Sequence, residues 1–511
     1  MKNLKYIYVL ILSLIVLACS DSFVDVAAED ENSEDFFKSE EDYQLALVAA
    51  YDYLQATSKF FQYAEIASDN TLCGGESATD SPYIQEIDDM IHTPVGQSDG
   101  GLRTMWQWMY EAVNRCNYIM EFQDNLEFPN KTSVIAQTRF LRAYFNFILV
   151  KWWGDVPMLV DKRIRFGDQF SIDRISRDII YDQITKDLSY AADNLPYIQS
   201  ESGRVTKGAA QALLGKVYLY WAEQEWSDTD LDYVPSDDQK FELAAAVLED
   251  LINNGPHRLL TSEEYPNMFE RDWENNIESV FEIQYSDVDG GSYDCFQCLE
   301  GNYTVFFNGP REFVDASGKF DAGYSFNVPT QEVVDAFEPG DLRYETSILD
   351  IEQYIADNPG SSYNENAGYE QTGYFNRKLM ARKGDLDRSD PALTNPDNYR
   401  AIRFADVLLM AAEALNRGGI DDTRAQIYLN QVRNRALLPS VSTTGTNLLN
   451  DIYKERRVEL VGEGHRFFDL VRTGRAAQEI DGFIEGKHEV FPIPIEEINL
   501  SGGRWAQNPN Y

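Results

Sequence analysis

The chain has 511 residues, and its 85 Asp and Glu against 44 Lys and Arg give a formal net charge of -41. This excess of acid argues against a protein that binds nucleic acid, because phosphate contacts need clustered basic side chains, and more weakly against a polyanionic ligand. With 43% hydrophobic and 13% aromatic residues the chain can bury a large core, and the lack of clear linkers predicts one body over residues 40–511.

The N-terminus has the form of a bacterial lipoprotein signal. Two lysines precede the apolar run 6–17, which is too short for a comfortable membrane span. The small residue Ala18 stands directly before Cys19, where a lipoprotein peptidase would cut. We therefore predict a signal peptide over 1–18 and lipidation of Cys19, which anchors a protein to a membrane without crossing it. An ordinary secretory signal and a single helical anchor are the alternatives.

The first part of the mature chain alternates between helical and irregular sequence. Residues 19–39 are acidic and lack periodicity, which favours a tether. Apolar residues at three- and four-residue spacing predict a helical scaffold over 40–68 and 103–254, beginning near Glu40. Residues 69–102 break this pattern and predict a long loop, which we call the early loop. Loops of this length are usually functional or mobile.

The second part contains a large insertion. Residues 255–398 are rich in Gly, Asn, Asp and aromatic residues and predict an irregular region with a strand at 279–286. Helical periodicity resumes over 399–474, and a Pro-containing tail, 475–511, ends the chain. The predicted fold is mainly α, with tetratricopeptide-like helical hairpins in an α-α superhelix and a loop-rich insertion that carries few short strands.

Four cysteines follow Cys19. Cys116 lies in a helical pattern and is expected to pack as a small apolar residue. Cys295 and Cys298 form a lone C-x-x-C without a matching Cys/His pair, so we expect no zinc site there. A local disulfide and two free thiols both stay open for this pair, and the pairing of Cys73 is equally open. No cofactor is expected, and the many carboxylates leave a structural cation open.

Several conspicuous residues favour structural roles. Four tryptophans at helical spacing among apolar residues are expected to pack in the core: Trp106, Trp108, Trp152 and Trp153. The charged residues between Glu455 and Arg472 lie on a strongly patterned helical hairpin, which favours an ion-pair network over an acid/base site. The sequence has no H-E-x-x-H or P-loop motif, and among 85 acids a pair of carboxylates carries no signal for a glycosidase. We expect no enzymatic activity.

Seven strings span nearly the whole mature chain: Phe140–Leu159, Arg204–Ala222, Phe326–Arg343, Ile402–Asn416, Leu429–Ala436, Glu455–Gly474 and Phe491–Tyr511. In their sequence and in their order they resemble the SusD/RagB family of surface glycan-binding lipoproteins from Bacteroidota. Any one string would be a weak signal, but seven strings in the same order are specific for the family.

The resemblance implies a role as well as a fold. It implies a mostly helical fold in which tetratricopeptide-like helix pairs form one side and an irregular half carries the ligand site. It also implies a protein that is not an enzyme. The resemblance implies a protein at the cell exterior that is anchored by lipid to the outer membrane. There it would capture an oligosaccharide and deliver it, with a lid-like motion, to a SusC-like TonB-dependent transporter. The net acidity favours a neutral glycan.

The insertion and the early loop supply candidate sugar-binding residues. Sugars are bound by flat apolar faces together with planar hydrogen-bonding groups. Tyr324 is the strongest candidate, because it precedes the FNVPT string where related sequences commonly carry a Trp on the ligand face. The full set of predicted ligand-binding residues is Tyr324, Tyr83, Asp80, Tyr293, Phe296, Asn302, Tyr303, Phe307 and Arg311. Phe306 and Phe320 are further aromatic residues of the insertion. The alternative for every one of these residues is core packing or turn formation.

Two other functions remain open. Tetratricopeptide-like surfaces often bind peptides, so a protein-interaction scaffold is one alternative. A surface lipoprotein that binds a non-glycan nutrient, such as a peptide, is the other.

Overall fold

The computed structural model describes residues 35–95, 101–222, 231, 233–287, 300–384 and 393–511. The predicted signal peptide, the lipidation site Cys19 and most of the predicted tether lie outside these residues. So do two predicted ligand-binding residues, Tyr293 and Phe296, and the pair Cys295 and Cys298. In the part of the chain that is described, no helix is long and apolar enough to cross a membrane.

Helices dominate the described residues. In chain order they are α1 (Glu40–Tyr51), α2 (Ser58–Ile66), α3 (Pro82–Asp88), α4 (Leu102–Glu121), α5 (Lys131–Trp153), α6 (Arg177–Asn194), α7 (Lys207–Trp221), α8 (Asp237–Asn254), α9 (Thr304–Phe307), α10 (Gln331–Asp335), α11 (Arg343–Ser347), α12 (Ile351–Asp357), α13 (Phe404–Arg417), α14 (Asp422–Arg435), α15 (Gly445–Glu459), α16 (Arg466–Arg472), α17 (Ala476–Glu479) and α18 (Ile495–Leu500). The mainly α fold predicted from the sequence is confirmed.

The strands are short and form two-stranded antiparallel sheets. They are β1 (Thr71–Gly74), β2 (Ser279–Ile283), β3 (Phe326–Pro329), β4 (Ile348–Asp350), β5 (Tyr374–Asn376) and β6 (Tyr399–Arg403). β1 pairs with β3, β2 with β6, and β4 with β5. Each pair therefore joins segments that are distant in sequence, and none is a tight hairpin.

The scaffold is a succession of helices that pack on their neighbours in sequence. α5 packs on α6, α6 on α7, and α7 on α8; after the insertion, α13 packs on both α8 and α14. Side-chain caps start several of these helices, as when the Thr206 hydroxyl accepts from the Ala209 amide at 3.1 Å. Gly215 lets α7 and α8 approach closely, because a Cβ there would lie 2.4 Å from Leu248 Cγ.

Two secondary-structure predictions are wrong. Residues 69–102 are not loop throughout, since they contain β1 and α3. Helical sequence does not resume at residue 399, because Tyr399–Arg403 forms β6 and pairs with β2 across the whole insertion, with Phe281 opposite Ile402. Local periodicity cannot reveal such a strand, because its hydrogen-bonding partner lies far away in the chain.

The charged residues of α15 and α16 form a buried ion-pair network, as predicted. Glu459 lies at its centre and accepts from Arg343 at 3.0 Å, from Arg403 at 2.9 Å and from Arg435. Further ion pairs join Glu455 to Arg343 and Arg433, Glu463 to Arg403 and Lys378, Arg456 to Asp406 and Asp469, Arg472 to Glu413, and both Arg457 and Arg466 to Asp69. The network connects the C-terminal helices to the insertion through Arg343 and to β6 through Arg403.

The remaining packing predictions are confirmed. Trp106, Trp108, Trp152 and Trp153 are all buried in the main core. Cys116 is buried with a free thiol, and so is Cys73.

Candidate ligand-binding site

The early loop and the insertion meet where β1 pairs with β3. Thr71 lies opposite Pro329, and Gly74 lies opposite Phe326. The pairing continues one step beyond the strands, since the Gly75 amide donates to the Ser325 carbonyl at 2.8 Å. This pairing brings the predicted ligand-binding residues of both segments into one region of the surface.

The backbone around Tyr324 is tied to the end of α9. The Tyr324 amide donates to the Phe306 carbonyl at 2.9 Å, and the Ser325 amide donates to the Gly309 carbonyl at 2.7 Å. The two chain segments touch at glycines, because a Cβ on Gly323 would lie 2.6 Å from Gly309 Cα. The position of the Tyr324 ring is thus set by main-chain contacts as well as by packing.

Three aromatic rings gather at this point, and we call Phe306, Phe307 and Tyr324 the Tyr324 cluster. The Tyr324 ring centroid lies 4.8 Å from that of Phe306 and 5.6 Å from that of Phe307, both edge to face. All three side chains are partly exposed, whereas Phe326 beneath Phe307 is buried. Edge-to-face contacts are favourable for aromatic pairs, so the cluster presents ordered ring surface at the boundary with solvent.

Arg311 and Asp80 supply polar groups beside the rings. The Arg311 guanidinium lies 5.6 Å from the Tyr324 ring centroid and donates to Asp80 at 3.1 Å. The same Asp80 oxygen accepts from the Glu76 amide at 2.9 Å, which orients the carboxylate. The structure therefore brings Tyr324, Phe307, Arg311 and Asp80 together, one from the early loop and three from the insertion.

Tyr83 follows Asp80 in the early loop and packs near a buried cation. Its ring centroid lies 6.3 Å from that of Tyr63, and the Lys59 ammonium lies 5.6 Å from the Tyr83 ring. Burial lowers the pKa of Lys59 to about 7 and raises the pKa of Tyr83. The preceding Ser81 has a φ of 49° and starts α3 in the left-handed region, a conformation that costs free energy and often occurs at functional sites.

Two predicted residues lie beneath the surface, which corrects the role expected for them. Asn302 is fully buried, and its side chain donates to the Asp397 carbonyl at 3.0 Å and accepts from the Thr304 hydroxyl. Tyr303 is also buried, and it packs edge to face on Phe307 at 5.6 Å. In these positions both side chains support the Tyr324 cluster from within and offer no surface to a ligand.

Sequence reasoning missed residues that join the site from a third segment. The Tyr369 amide donates to the Gly75 carbonyl at 2.8 Å, and the adjacent Glu370 raises the pKa of the Tyr369 hydroxyl. The string AGYEQTGYF around Tyr369 mixes Gly and aromatic residues, as the segment that carries the predicted ligand-binding residues of the insertion does. This composition could have identified Tyr369 from the sequence. Phe306, an aromatic residue of the insertion outside the predicted ligand-binding set, also lies in the Tyr324 cluster.

A carboxyl group next to β1 has a shifted pKa. Asp88, at the end of α3, accepts from the Cys73 amide at 2.7 Å. Burial is the main reason that the pKa of Asp88 rises to about 7, and the charges of Glu370 and Asp89 add to the effect. Among the described residues, no group of three or more His, Cys, Asp or Glu is placed to hold a metal ion.

Asp88→Asn is expected to stabilise the protein at pH 8 but much less at pH 5. A carboxyl whose pKa is raised on folding contributes stability at low pH that is lost as the pH rises from about 4 to about 7, and Asn mimics the protonated form. The gain at pH 8 should be on the order of 1–2 kcal/mol, because solvent reaches part of the side chain. Urea unfolding at both pH values measures it. Asp89→Asn, an exposed neighbour, is the control; equal effects of Asp88→Asn at both pH values would contradict the assignment.

Family models and relatives in other organisms both indicate that the chain is similar to SusD-like proteins. A model described as the SusD family matches residues 264–511, and a second, described as starch-binding associating with outer membrane, matches residues 22–219. SusD-like protein P38 of Formosa agariphila is 27% identical over 100% of this chain and 99% of its own length. A SusD-like protein of Bacteroides ovatus is 27% identical over 91% of this chain and 82% of its own length.

Solved structures are similar over nearly the whole chain. A laminarin binding SusD-like protein has a TM-score of 0.82 and 32% identity, and the match covers 93% of this chain and 100% of the other. Surface glycan-binding protein A from Bacteroides thetaiotaomicron, in complex with laminarihexaose, has a TM-score of 0.79 and 25% identity, with 92% and 100% of the two chains covered.

Proposed function

Because this chain belongs to the SusD family, we propose that it binds a neutral glycan at the Tyr324 cluster and delivers it to a SusC-like TonB-dependent transporter. In this proposal the protein is anchored to the outer membrane by lipid on Cys19 and faces the cell exterior. The observation that carries the proposal is the convergence of aromatic rings, Asp80 and Arg311 at the junction of β1 and β3.

The chemistry of this junction suits a sugar. Pyranose rings present apolar C–H faces that pack on aromatic rings, and their hydroxyls pair with planar polar groups. Asp80 can accept from two hydroxyls, while Arg311 can donate to others or stack on a ring. Tyr324, Phe306 and Phe307 are proposed to contact the sugar face, with Tyr83 at the edge. Tyr293 and Phe296, which lie outside the described residues, are also proposed to contribute to this site.

The relatives indicate which glycan to test first. One solved relative is described as laminarin binding and another is in complex with laminarihexaose, both neutral glucans. One matching family model is described as starch-binding. A neutral glucan also agrees with a net charge of -41, since uronates and sulfated sugars would meet an acidic surface.

We propose no catalytic role. One G-x-S-x-G spacing does occur, GQSDG at 96–100. A nucleophile elbow of this kind needs a strand before the serine and a helix that begins at it. Residues 96–100 lie outside the described residues, and the spacing alone does not support a hydrolase.

Calorimetric titration tests the binding proposal. The chain without residues 1–19 would be titrated with laminarihexaose, maltohexaose, cellohexaose and an oligogalacturonate. Binding of at least one neutral glucan, with no heat from the galacturonate, is the expected result. If no saccharide produced a heat of binding but a peptide mixture did, this result would favour the alternative that the protein binds a nutrient peptide.

Anchoring and delivery need separate tests. Labelled palmitate should enter the protein in its native host and should fail to do so after Cys19→Ser. Affinity purification from native outer membranes should recover a large barrel protein with a plug domain. Recovery of the protein without any such barrel would count against delivery and would leave the glycan-binding proposal standing.

A further inference from the structure

A second concave surface lies between α4, the segment that follows α5, and the C-terminal tail. Its cavity has a volume of about 540 Å³, within the range of small-molecule sites. None of its lining residues belongs to the Tyr324 cluster or to the early loop. We call it the Trp505 groove, after a residue of its floor.

The floor of the Trp505 groove is aromatic and rigid. The Trp106 ring centroid lies 4.9 Å from that of Tyr110 and 6.2 Å from that of Trp505. The Tyr110 hydroxyl donates to the Pro157 carbonyl at 2.7 Å, and Trp505 Nε1 donates to the Ile172 carbonyl at 2.8 Å. Both polar ends are therefore held by main-chain oxygens, which leaves the apolar ring surfaces to line the cavity.

The rim exposes apolar side chains to solvent. Phe166 is 95% exposed and Leu500 is 47% exposed, and both line the cavity. An isolated exposed Leu is ordinary, but a fully exposed Phe beside an aromatic-floored cavity marks a binding surface. The Phe166 ring can close over a ligand that lies on the floor.

Polar groups around the groove have unused hydrogen-bonding capacity. Gln107 Nε2 and Arg103 Nε both donate to the same Glu497 oxygen, at 3.0 and 3.2 Å. Gln169 Oε1 accepts from the Gly167 amide at 2.7 Å. Among the described residues, the Gln107 oxygen, the second Glu497 oxygen and the Gln169 amide nitrogen have no protein partner. They offer two acceptors and one donor to a ligand.

We infer that the Trp505 groove is a second saccharide site, which takes neutral sugar residues. A pyranose ring packs its apolar face on aromatic rings and pairs its hydroxyls with planar polar groups. The groove offers both, with an aromatic floor, an exposed Phe and planar amides at its edges. Glu111 and Glu497 line the groove together with one cationic residue, Arg165. Arg103 pairs with Glu497 at 3.2 Å, and Glu121 pairs with Arg165 at 2.7 Å. An anionic sugar would therefore meet the carboxylate of Glu111 without a free cation beside it among the described residues, which favours a neutral sugar.

The inference rests on the proposal that the ligand is a glycan, and it adds a consequence for long chains. Two sites on one protein can hold one polymer, so the second contact forms at a high effective concentration. A polysaccharide should consequently bind more tightly than a hexasaccharide of the same linkage, and this difference should shrink when either site is removed.

Hydrogen–deuterium exchange on the full-length protein in detergent tests the inference. The probes are laminarihexaose, maltohexaose, cellohexaose and xylohexaose, each titrated up to a saturating concentration. At least one should slow exchange in residues 161–172, and this effect should persist in Tyr324→Ala. Phe166→Ala should weaken it by about three- to tenfold, without unfolding, because the side chain is exposed. Phe170→Ala is the matched control: this Phe is also exposed, on the same segment, and does not line the cavity.

The outcomes separate the two proposals. Slowed exchange at 161–172 in Tyr324→Ala that needs a three- to tenfold higher sugar concentration in Phe166→Ala supports the Trp505 groove, even if binding at the Tyr324 cluster fails. Slowed exchange around Tyr324 alone, or at 161–172 in Phe166→Ala as strongly as in the unmodified protein, overturns the groove. No slowed exchange at 161–172 with any of the four probes also overturns it.

Discussion

Tyr324→Ala is expected to weaken glycan binding by about 30-fold while the protein stays folded. Truncating a central aromatic residue of a binding site typically costs about 2 kcal/mol, which is the loss of the ring surface on which the sugar packs. The ring is partly exposed and contacts Phe306 and Phe307 by its edges, so its removal opens no large interior cavity. Calorimetric titration with the glucan that binds the unmodified protein measures the affinity, and a thermal scan measures folding.

Two controls make this result specific to the site. Tyr324→Phe keeps the ring and should retain most of the affinity if packing dominates. Tyr233→Ala removes an exposed tyrosine that precedes α8 and should leave the affinity unchanged. Unchanged affinity in Tyr324→Ala with a native thermal transition would remove Tyr324 from the site.

Glu459→Gln is expected to lower the free energy of unfolding at pH 7 by about 3–5 kcal/mol, the cost of breaking a buried ion pair. Glu459 is fully buried and accepts from Arg343, Arg403 and Arg435. Burial alone would raise the pKa of Glu459, but the three guanidinium groups outweigh it and hold that pKa well below its usual value. A neutral Gln leaves these buried cations undercompensated.

The pH dependence follows from the direction of this shift. A carboxyl whose pKa is lowered on folding contributes stability above its unfolded pKa of about 4.5 and loses it as the pH falls. The destabilisation by Glu459→Gln should therefore be full at pH 7 and smaller at pH 4, as measured by urea unfolding. Glu338→Gln is the matched control, since Glu338 pairs with Arg433 at 3.0 Å but is partly exposed; it should cost about 1 kcal/mol or less. Equal costs for the two variants would show that burial of the network contributes nothing.

The helical scaffold was predictable because its signals are local. Apolar spacing of three and four residues, caps such as Thr206 and small residues such as Gly215 act within a few turns. The same reasoning failed for Tyr399–Arg403, where pairing with a remote strand outweighs the helical pattern that follows. It failed also for the first part of the early loop, where β1 exists only because β3 lies beside it.

The candidate site was predictable in its residue types and only partly in its members. Tyr324, Phe307, Arg311 and Asp80 do come together, although one of them lies in the early loop and three in the insertion. Asn302 and Tyr303 lie in the same segment and are also residue types that suit sugar binding, yet both side chains are buried. Composition reports which groups are present and cannot report which side of a loop faces solvent.

The sequence by itself predicted an export signal, and it determined the mainly α scaffold, the structural character of the charged helices and, through seven ordered strings, the family. Each of these depends on short-range patterns that survive without any knowledge of contacts. Only the tertiary structure decided that β1 and β3 join the two candidate segments, which aromatic rings reach the surface, and that a second aromatic groove lies against the C-terminal tail. These features depend on contacts between residues hundreds of positions apart, and burial at such contacts is a property of the folded chain alone.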